Sequence, residues 1–201
     1  FRSVFTSQVT GTSLSQKILS ASLHDGEGKS NTIAQSDDPA VQTSKRNDKS
    51  HLRYLGFFEG IDLEYTYDGK DVEEFFHLSD KLRNTIIKEK VDLKIKAEFP
   101  GLSVEDGAML STTEGTPLEL VTDPTTDTTV PGAAKNELFS HDTVELGLRG
   151  DRFVLPAAVV EDAAGNKLDL ERSFAWKKSG LVAELTLPYE WVKNAEPPIV
   201  I

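Results

Sequence analysis

The feature that most constrains the fold is a run of alternating apolar and polar side chains around a tight turn, within residues 52–78. Residues 61–66 alternate strictly, and apolar positions return in residues 75–78 after the turn Tyr67-Asp68-Gly69-Lys70. Alternation places one set of side chains on each face of a strand, and an Asp-Gly pair tolerates the positive φ angles of a short hairpin turn. The sequence therefore predicts a β-hairpin here.

The same pattern recurs along the rest of the chain, with turn signals about every 8 to 12 residues. One short helix is predicted over residues 80–90, and a helical turn over residues 188–194. Pro156 should place its apolar run at a sheet edge or bend it. Further strands are predicted at residues 1–5, 16–23, 91–97, 108–110, 144–148, 153–160, 168–176, 181–187 and 199–201. This predicts an all-β fold, an antiparallel β-sandwich of about ten short strands with little helix.

Two domain regions are expected. Residues 1–50 are a polar leader, partly disordered or forming edge strands such as 16–23, with residues 24–50 read as a long loop or disordered linker. Residues 51–201 form the β-sandwich module, and it carries a Thr-rich loop at 122–134 that is too polar to build a core.

Charge and composition narrow the function classes. The net charge of −11 argues against nucleic acid or an anionic membrane as partner, because binding phosphates needs a basic surface. The chain has no cysteine, which fits the cytosol and also bacterial export. It has neither a visible signal peptide nor an apolar run of the roughly 18 residues that predict a membrane span. Because it starts at Phe1 and stops at Ile201 in an apolar run, we expect a fragment of a longer protein.

Residues 54–65, YLGFFEGIDLEY, resemble a family motif in which an aromatic residue and a short stretch precede Gly-Ile-Asp-Leu-x-Tyr. The family is a β-rich module found before RHS/YD repeats or SBBP repeats in large secreted bacterial surface proteins. Its motif leads into a hairpin that ends in an aromatic-apolar pair, similar to residues 74–78. A proline-bearing run and an Asp-x-x-Gly turn follow in the family, similar to residues 155–157 and 162–165.

The resemblance covers roughly residues 52–110 and 150–201, where residues 198–201 resemble the start of the family's closing segment. It implies a secreted or cell-surface bacterial protein with a non-catalytic role, whose partners are other domains of the same polypeptide and a glycan or protein at the cell surface. It transfers no catalytic, cofactor-binding or metal-binding residue to this chain.

Side chains with chemical potential are scattered in the sequence. None of the four histidines, His24, His51, His77 and His141, has another histidine two to four positions away, so the usual metal-ligand spacing is missing. A Gly-x-Ser-x-Gly elbow is also missing, although the fold could still bring a Ser-His-Asp set together. The acid pairs 73–74 and 105–106 are expected to be solvated rather than set for glycoside hydrolysis.

Three other sets of residues have alternative interpretations. Loop oxygens of Asp123, Asp127, Asp162 and Asn166 suit calcium, but a bare turn is favoured at residues 162–166. Asp62 either contributes to a ligand cleft or, as favoured, faces solvent or accepts backbone N–H bonds that fix the Gly60 turn. The aromatic side chains either form a sugar-binding platform or, as favoured, belong to the core; they are Tyr54, Tyr65, Trp176 and Trp191.

We therefore expect a structural or interaction module without catalytic activity or cofactor. Two alternatives stay open: a carbohydrate-binding module with exposed aromatics, and a hydrolase whose acids, or whose Ser, His and Asp, meet in a cleft.

Overall fold

The computed structural model describes residues 2–6, 10–103, 107–112 and 137–201. Two helices are present in these ranges, α1 (Asp80–Glu89) and α2 (Tyr189–Val192). The strands are β1 (Arg2–Thr6), β2 (Ser13–His24), β3 (Ser30–Ile33), β4 (Ala40–Arg46), β5 (Lys49–Phe58), β6 (Ile61–Tyr67), β7 (Val72–Leu78), β8 (Asp92–Pro100), β9 (Met109–Thr112), β10 (Glu137–Ser140), β11 (Val144–Leu148), β12 (Asp151–Leu155), β13 (Ala158–Glu161), β14 (Lys167–Leu170), β15 (Arg172–Lys177), β16 (Gly180–Leu187) and β17 (Ile199–Val200).

The predicted fold class, all-β and antiparallel with little helix, is confirmed. One seven-stranded sheet has the order β1-β2-β8-β16-β15-β10, with β3 also pairing with β2. A second has the order β14-β13-β17-β7-β6-β5-β4, and a third contains β12-β11-β9. The described residues hold more strands than the ten or so expected, because several predicted runs are split and residues 1–50 add their own.

The chain divides into two compact units. The first contains Phe1–Leu19, Ile95–Ala158 and Asp169–Thr186. Its core lies between two sheets: side chains of β8, β15 and β16 pack with those of β9 and β11 in one cluster. The apolar positions of β11 show why, since Val144, Leu146 and Leu148 are buried while the residues between them are only half-buried. This face-to-face packing is the sandwich arrangement that alternation predicts.

The second unit contains Ser20–Lys94, Val159–Leu168 and Leu187–Ile201. Its largest feature is the antiparallel meander β4-β5-β6-β7, in which each strand pairs with the next. Helix α1 follows directly, capped by the Ser79 side chain, which accepts a hydrogen bond from Leu82 N at 3.3 Å. The helix buries Leu82 and Ile86. The C-terminus adds β17, where Phe76 and Ile201 exchange backbone hydrogen bonds of 2.9 and 3.0 Å.

Several local predictions are confirmed. The hairpin forms with Tyr67 opposite Val72 around the Asp-Gly turn, and the short helix occupies residues 80–89 with Lys90 in a left-handed C-cap. Pro156 separates β12 from β13, as a bend at this proline requires.

Others need correction. Residues 24–50, expected as a loop or disordered linker, carry β3 and β4, and residues 1–50 contribute to both units. Strand β2 is not an edge strand, because it lies between β1 and β8 in the sheet and also pairs with β3. The predicted strand at 168–176 is two strands in different sheets, β14 and β15. The Thr-rich loop at 122–134 lies outside the described residues. No helix in the described ranges is long and apolar enough to cross a membrane.

Candidate binding site on the charged face of the meander

One face of the meander collects most of its ionisable side chains. Cross-strand partners in an antiparallel sheet lie on the same face, so the register fixes which residues meet. The partners on this face are Gln42 with Arg53, Ser44 with His51, Arg53 with Glu64, and Asp62 with His77. We call this set, together with Arg46 at the end of β4, the charged face: Gln42, Ser44, Arg46, His51, Arg53, Asp62, Glu64 and His77.

Glu64 is the centre of the charged face. Its Oε1 lies 2.7 Å from His51 Nδ1, and its Oε2 lies 2.7 Å from His77 Nε2. Arg53 Nη1 approaches the same Oε2 at 3.9 Å. The Glu64 side chain is only 15% exposed, so these contacts replace much of its water. Two histidines more than twenty residues apart in sequence therefore share one carboxylate.

Burial and partners act on the pKa values of this group. Burial alone would raise the pKa of Glu64, but hydrogen bonds from His51 and His77 and the nearby Arg53 charge hold it below its usual range. Burial lowers the pKa of His77, and the positive charge of Arg53 lowers it further, against the opposing pull of Glu64. Near neutral pH we therefore expect an ionised Glu64 beside a neutral His77.

Asp62 holds a bulge in β5. The register shifts between the pair Tyr54–Leu63 and the pair Phe58–Ile61, so three residues of β5 stand opposite the single residue Asp62. Its Oδ1 accepts the Gly56 backbone N–H at 2.6 Å, and its Oδ2 accepts Arg53 Nη2 at 2.9 Å and Nε at 3.2 Å. Gly56 has a φ of +62°, as bulges with a left-handed residue require. Asp62 thus accepts a backbone N–H, but at the bulge rather than at the Gly60 turn.

A shallow pocket of about 350 Å³ opens on the charged face. Its charged lining is two arginines against one carboxylate, although the whole chain carries a net charge of −11. Arg46 has neither an ion pair nor a side-chain hydrogen bond with another residue in the described part of the chain. The pocket is lined by Gln42, Thr43, Ser44, Arg46, His51, Arg53 and Glu64.

The pocket also contains a serine, a histidine and an acid on three neighbouring strands, with Glu64 diagonal to His51 across β5 and β6. Ser44 stands opposite His51 across β4 and β5, and the hydrogen bond to Glu64 occupies His51 Nδ1, so Nε2 is the ring nitrogen left for another partner. This order of groups is that of a Ser-His-acid set. No hydrogen bond joins Ser44 Oγ to His51 among the described residues.

The histidines fall into different settings. His51 and His77 meet at Glu64, which sequence spacing alone did not indicate. His24 lies 2.8 Å from Ser22 Oγ through its Nε2, and His141 Nε2 lies 3.9 Å from Glu171. Within the described ranges no three histidine or acidic side chains are arranged so that they could hold one metal ion.

Of the four residues considered as calcium ligands, the structure describes Asp162 and Asn166. Asp123 and Asp127 lie outside the described residues, as do Glu105 and Asp106. Asp162 is buried, and its carboxylate is filled by donors: Oδ1 accepts Ala164 N and Asn166 N, and Oδ2 accepts Asn166 Nδ2 and Glu196 N, all at 2.9–3.0 Å. The Asn166 side chain and these backbone N–H groups lower the pKa of Asp162. The turn at residues 162–166 is thus held by hydrogen bonds to the Asp162 carboxylate.

The other candidate side chains are also placed. Glu73 accepts hydrogen bonds from Lys49 Nζ at 2.7 Å and Thr66 Oγ1 at 2.9 Å. Tyr54 and Tyr65 pack edge to face, with ring centroids 6.5 Å apart, and burial raises the pKa of Tyr54. Trp176 is half-buried against the core of the first unit.

Trp191 is also half-buried, and it lies in the second unit. Neither tryptophan is fully buried or fully exposed, so burial does not decide between a core role and a sugar platform.

Sequence reasoning missed the β4 side of the pocket, Gln42, Ser44 and Arg46. Every residue of β4 is exposed, so no apolar alternation marks the strand. The available signal was Asn47-Asp48, whose φ values of 48° and 62° form the two-residue turn between β4 and β5. Asn and Asp tolerate such angles better than most residues.

Comparison of the sequence with known protein families and with curated proteins finds no match.

Proposed function

We propose that this chain is a non-catalytic structural and interaction module. The observation that carries the proposal is that three carboxylates are already hydrogen-bonded within the chain. Both oxygens of Glu64, of Asp62 and of Asp162 are occupied by donors of the same chain. Glu64 joins two histidines, Asp62 holds the bulge in β5, and Asp162 holds the turn at residues 162–166. Each hydrogen bond therefore stabilises backbone geometry or the pairing of strands. A general acid or base would instead need an oxygen directed at a substrate.

The family resemblance supports the same proposal. Two of its motif residues have backbone roles: Asp62 accepts the Gly56 N–H, and Gly60 has a φ of +84° against α1. A motif built of such residues suits a scaffold shared by proteins with different ligands. On this resemblance we propose that the module belongs to a large exported bacterial protein, joined to repeats in the same polypeptide, and secreted or held at the cell surface.

The sequence that flanks this chain in its gene tests that placement. A signal peptide upstream and YD-type or SBBP repeats downstream are expected. A cytosolic enzyme domain fused directly to either end would contradict it.

A second candidate function is a serine hydrolase, favoured by one observation: Ser44, His51 and Glu64 lie close together in the pocket. A fluorophosphonate probe, which labels activated serines, separates the two functions. The non-catalytic proposal expects no labelling of the wild-type chain. Labelling that is lost in Ser44→Ala but kept in Ser50→Ala would establish the hydrolase instead. Ser50 is the matched control because it is an exposed serine of the same hairpin whose side chain lies on the opposite face of the sheet.

A further inference from the structure

We propose that the pocket on the charged face binds a small ligand through an oxyanion group, a carboxylate or a sulfate. This inference rests on the proposed function, since it names the ligand class of an interaction module. It goes beyond that function by assigning the recognising residues: Arg46 and Arg53 bind the anion, and Gln42 and Ser44 donate hydrogen bonds to it.

The charge of the lining is the first argument. Arg53 is held in place by two hydrogen bonds to Asp62, at 2.9 and 3.2 Å, through Nε and Nη2. Its remaining nitrogen, Nη1, lies 3.9 Å from Glu64, which is too long for a hydrogen bond. The geometry of Arg53 is therefore fixed while one nitrogen keeps donor capacity. A fixed guanidinium loses little entropy when it binds an anion.

Arg46 supplies the second cation. It is exposed and lacks an ion-pair partner among the residues that the structure describes. A free arginine that lines the same pocket as a fixed one suits the flat, two-oxygen edge of a carboxylate or sulfate, which guanidinium groups bind in pairs of parallel hydrogen bonds.

Neutral donors complete the lining. Gln42 lies opposite Arg53 and Ser44 opposite His51, so an amide and a hydroxyl border the two arginines. His51 Nδ1 donates to Glu64, so Nε2 of the neutral ring is an acceptor, which suits a hydroxyl group of the ligand rather than its anionic group. Glu64 is the one carboxylate of the lining, and its two oxygens are occupied by His51 and His77, so its repulsion of an anion is reduced.

The size of the pocket sets the size of the ligand. About 350 Å³ is at the small end of ligand pockets, and it fits a molecule such as one sugar unit. Because the pocket is shallow, we expect a Kd of about 0.1–1 mM for a single unit. An acidic sugar would use the arginines for its carboxylate and the neutral donors for its hydroxyl groups.

Titration of the whole chain, followed by NMR amide shifts, tests the proposal with three probes: sodium glucuronate, sodium sulfate and neutral glucose. Glucuronate or sulfate should shift the amides of β4, β5 and β6 saturably, and glucose should not. Binding of glucuronate alone would identify a carboxylate ligand, and binding of sulfate alone a tetrahedral anion. Absence of saturable shifts with both anions, or equal binding of glucose, would overturn the proposal.

Two charge variants of one strand locate the site. Arg46→Gln should weaken anion binding at least tenfold. Lys45→Gln makes the same charge change one residue away, where strand alternation places the side chain on the opposite face, and should leave binding within twofold. Equal losses in both variants would show diffuse attraction and overturn the pocket.

The NMR spectrum of the ligand, recorded over hours in the presence of the protein, distinguishes failure of this inference from failure of the proposed function. If an anion binds and is chemically converted over hours, the pocket stands and the non-catalytic function fails. If neither anion binds, the pocket fails and the non-catalytic function is unaffected.

Discussion

The two faces of the β5-β6-β7 meander are built from alternate residues of the same strands, yet different forces hold them. On one face Ile61 and Leu63 are completely buried and Phe76 nearly so. On the other, Glu64 is joined to two histidines through hydrogen bonds. Leu63 and Glu64 are neighbours in sequence. Burial of an aliphatic side chain contributes about 1.5–3 kcal/mol, whereas a buried polar contact contributes about 1 kcal/mol net, because water offers the same bonds in the unfolded chain.

The largest effect should therefore come from the apolar face. Leu63→Ala removes a fully buried side chain and leaves a cavity, so we expect a loss of about 3 kcal/mol in the free energy of unfolding, measured by denaturant titration. Val41→Ala is the control, because Val41 is 56% exposed on the edge strand and should change stability by less than about 0.5 kcal/mol. Equal losses in the two variants would show that the meander lacks a packed face.

Substitutions at Gly56 and Gly60 test how closely the β5-β6 hairpin packs against α1. Both Gly56 and Gly60 have positive φ angles, but an added Cβ meets nothing at Gly56 and would lie 2.9 Å from Leu82 Cβ and Ser79 Oγ at Gly60. Gly56→Ala should cost about 1 kcal/mol for the backbone alone, and Gly60→Ala about 2–3 kcal/mol because α1 must also shift. Thermal denaturation of both variants checks the difference. If Gly56→Ala were the worse of the two, the contact of Gly60 with the helix would be wrong.

The apolar face and the hairpin were predictable because burial leaves a pattern in the sequence. Residues 61–66 alternate, and an Asp-Gly turn follows, so strand, register and turn agree. Helix α1 was predictable for the same reason, from its buried Leu82 and Ile86. Strand β4 was not, because an edge strand whose side chains are all exposed places no apolar residue at every second position.

The charged face could be predicted only in part. Asp62 could be singled out from the sequence because it follows Gly60 by two residues. It does accept a backbone N–H, as one of its two favoured interpretations has it, although the donor is Gly56 and not a residue of the Gly60 turn. The meeting of His51 and His77 at Glu64 depends on the register of three strands. Sequence spacing does not contain that register once a bulge has shifted it.

Glu64→Gln should have a moderate effect. The amide keeps the shape of the side chain but loses its charge, and its NH₂ group can no longer accept a hydrogen bond from a histidine N–H. We expect a loss of about 1–2 kcal/mol, smaller than that of Leu63→Ala. Glu145→Gln is a matched control in the first unit, since among the described residues the Glu145 side chain pairs with just one partner, the exposed Arg152 at 3.1 Å. A loss of 3 kcal/mol or more in Glu64→Gln would mean that the charged face, not the apolar face, dominates stability.

The smallest effect should be a dependence of stability on pH, and its sign follows from His77. Burial lowers the pKa of His77, so the folded chain holds fewer protons than the unfolded chain just below the ordinary histidine value of about 6.5. Stability present above that value is therefore lost as the pH falls below it. Glu64 acts in the same direction at lower pH, because its lowered pKa favours folding only above the ordinary glutamate value of about 4.3.

His77→Gln isolates the histidine contribution, because glutamine cannot titrate and can still donate a hydrogen bond to Glu64. Unfolding free energies between pH 7 and pH 5 should fall less steeply in the variant than in the wild type. Parallel slopes would show that His77 titrates alike in the folded and unfolded chain. A wild-type chain that gains stability on acidification would show instead that the attraction of Glu64 outweighs burial. In that case the charged face stabilises the meander as a true ion pair.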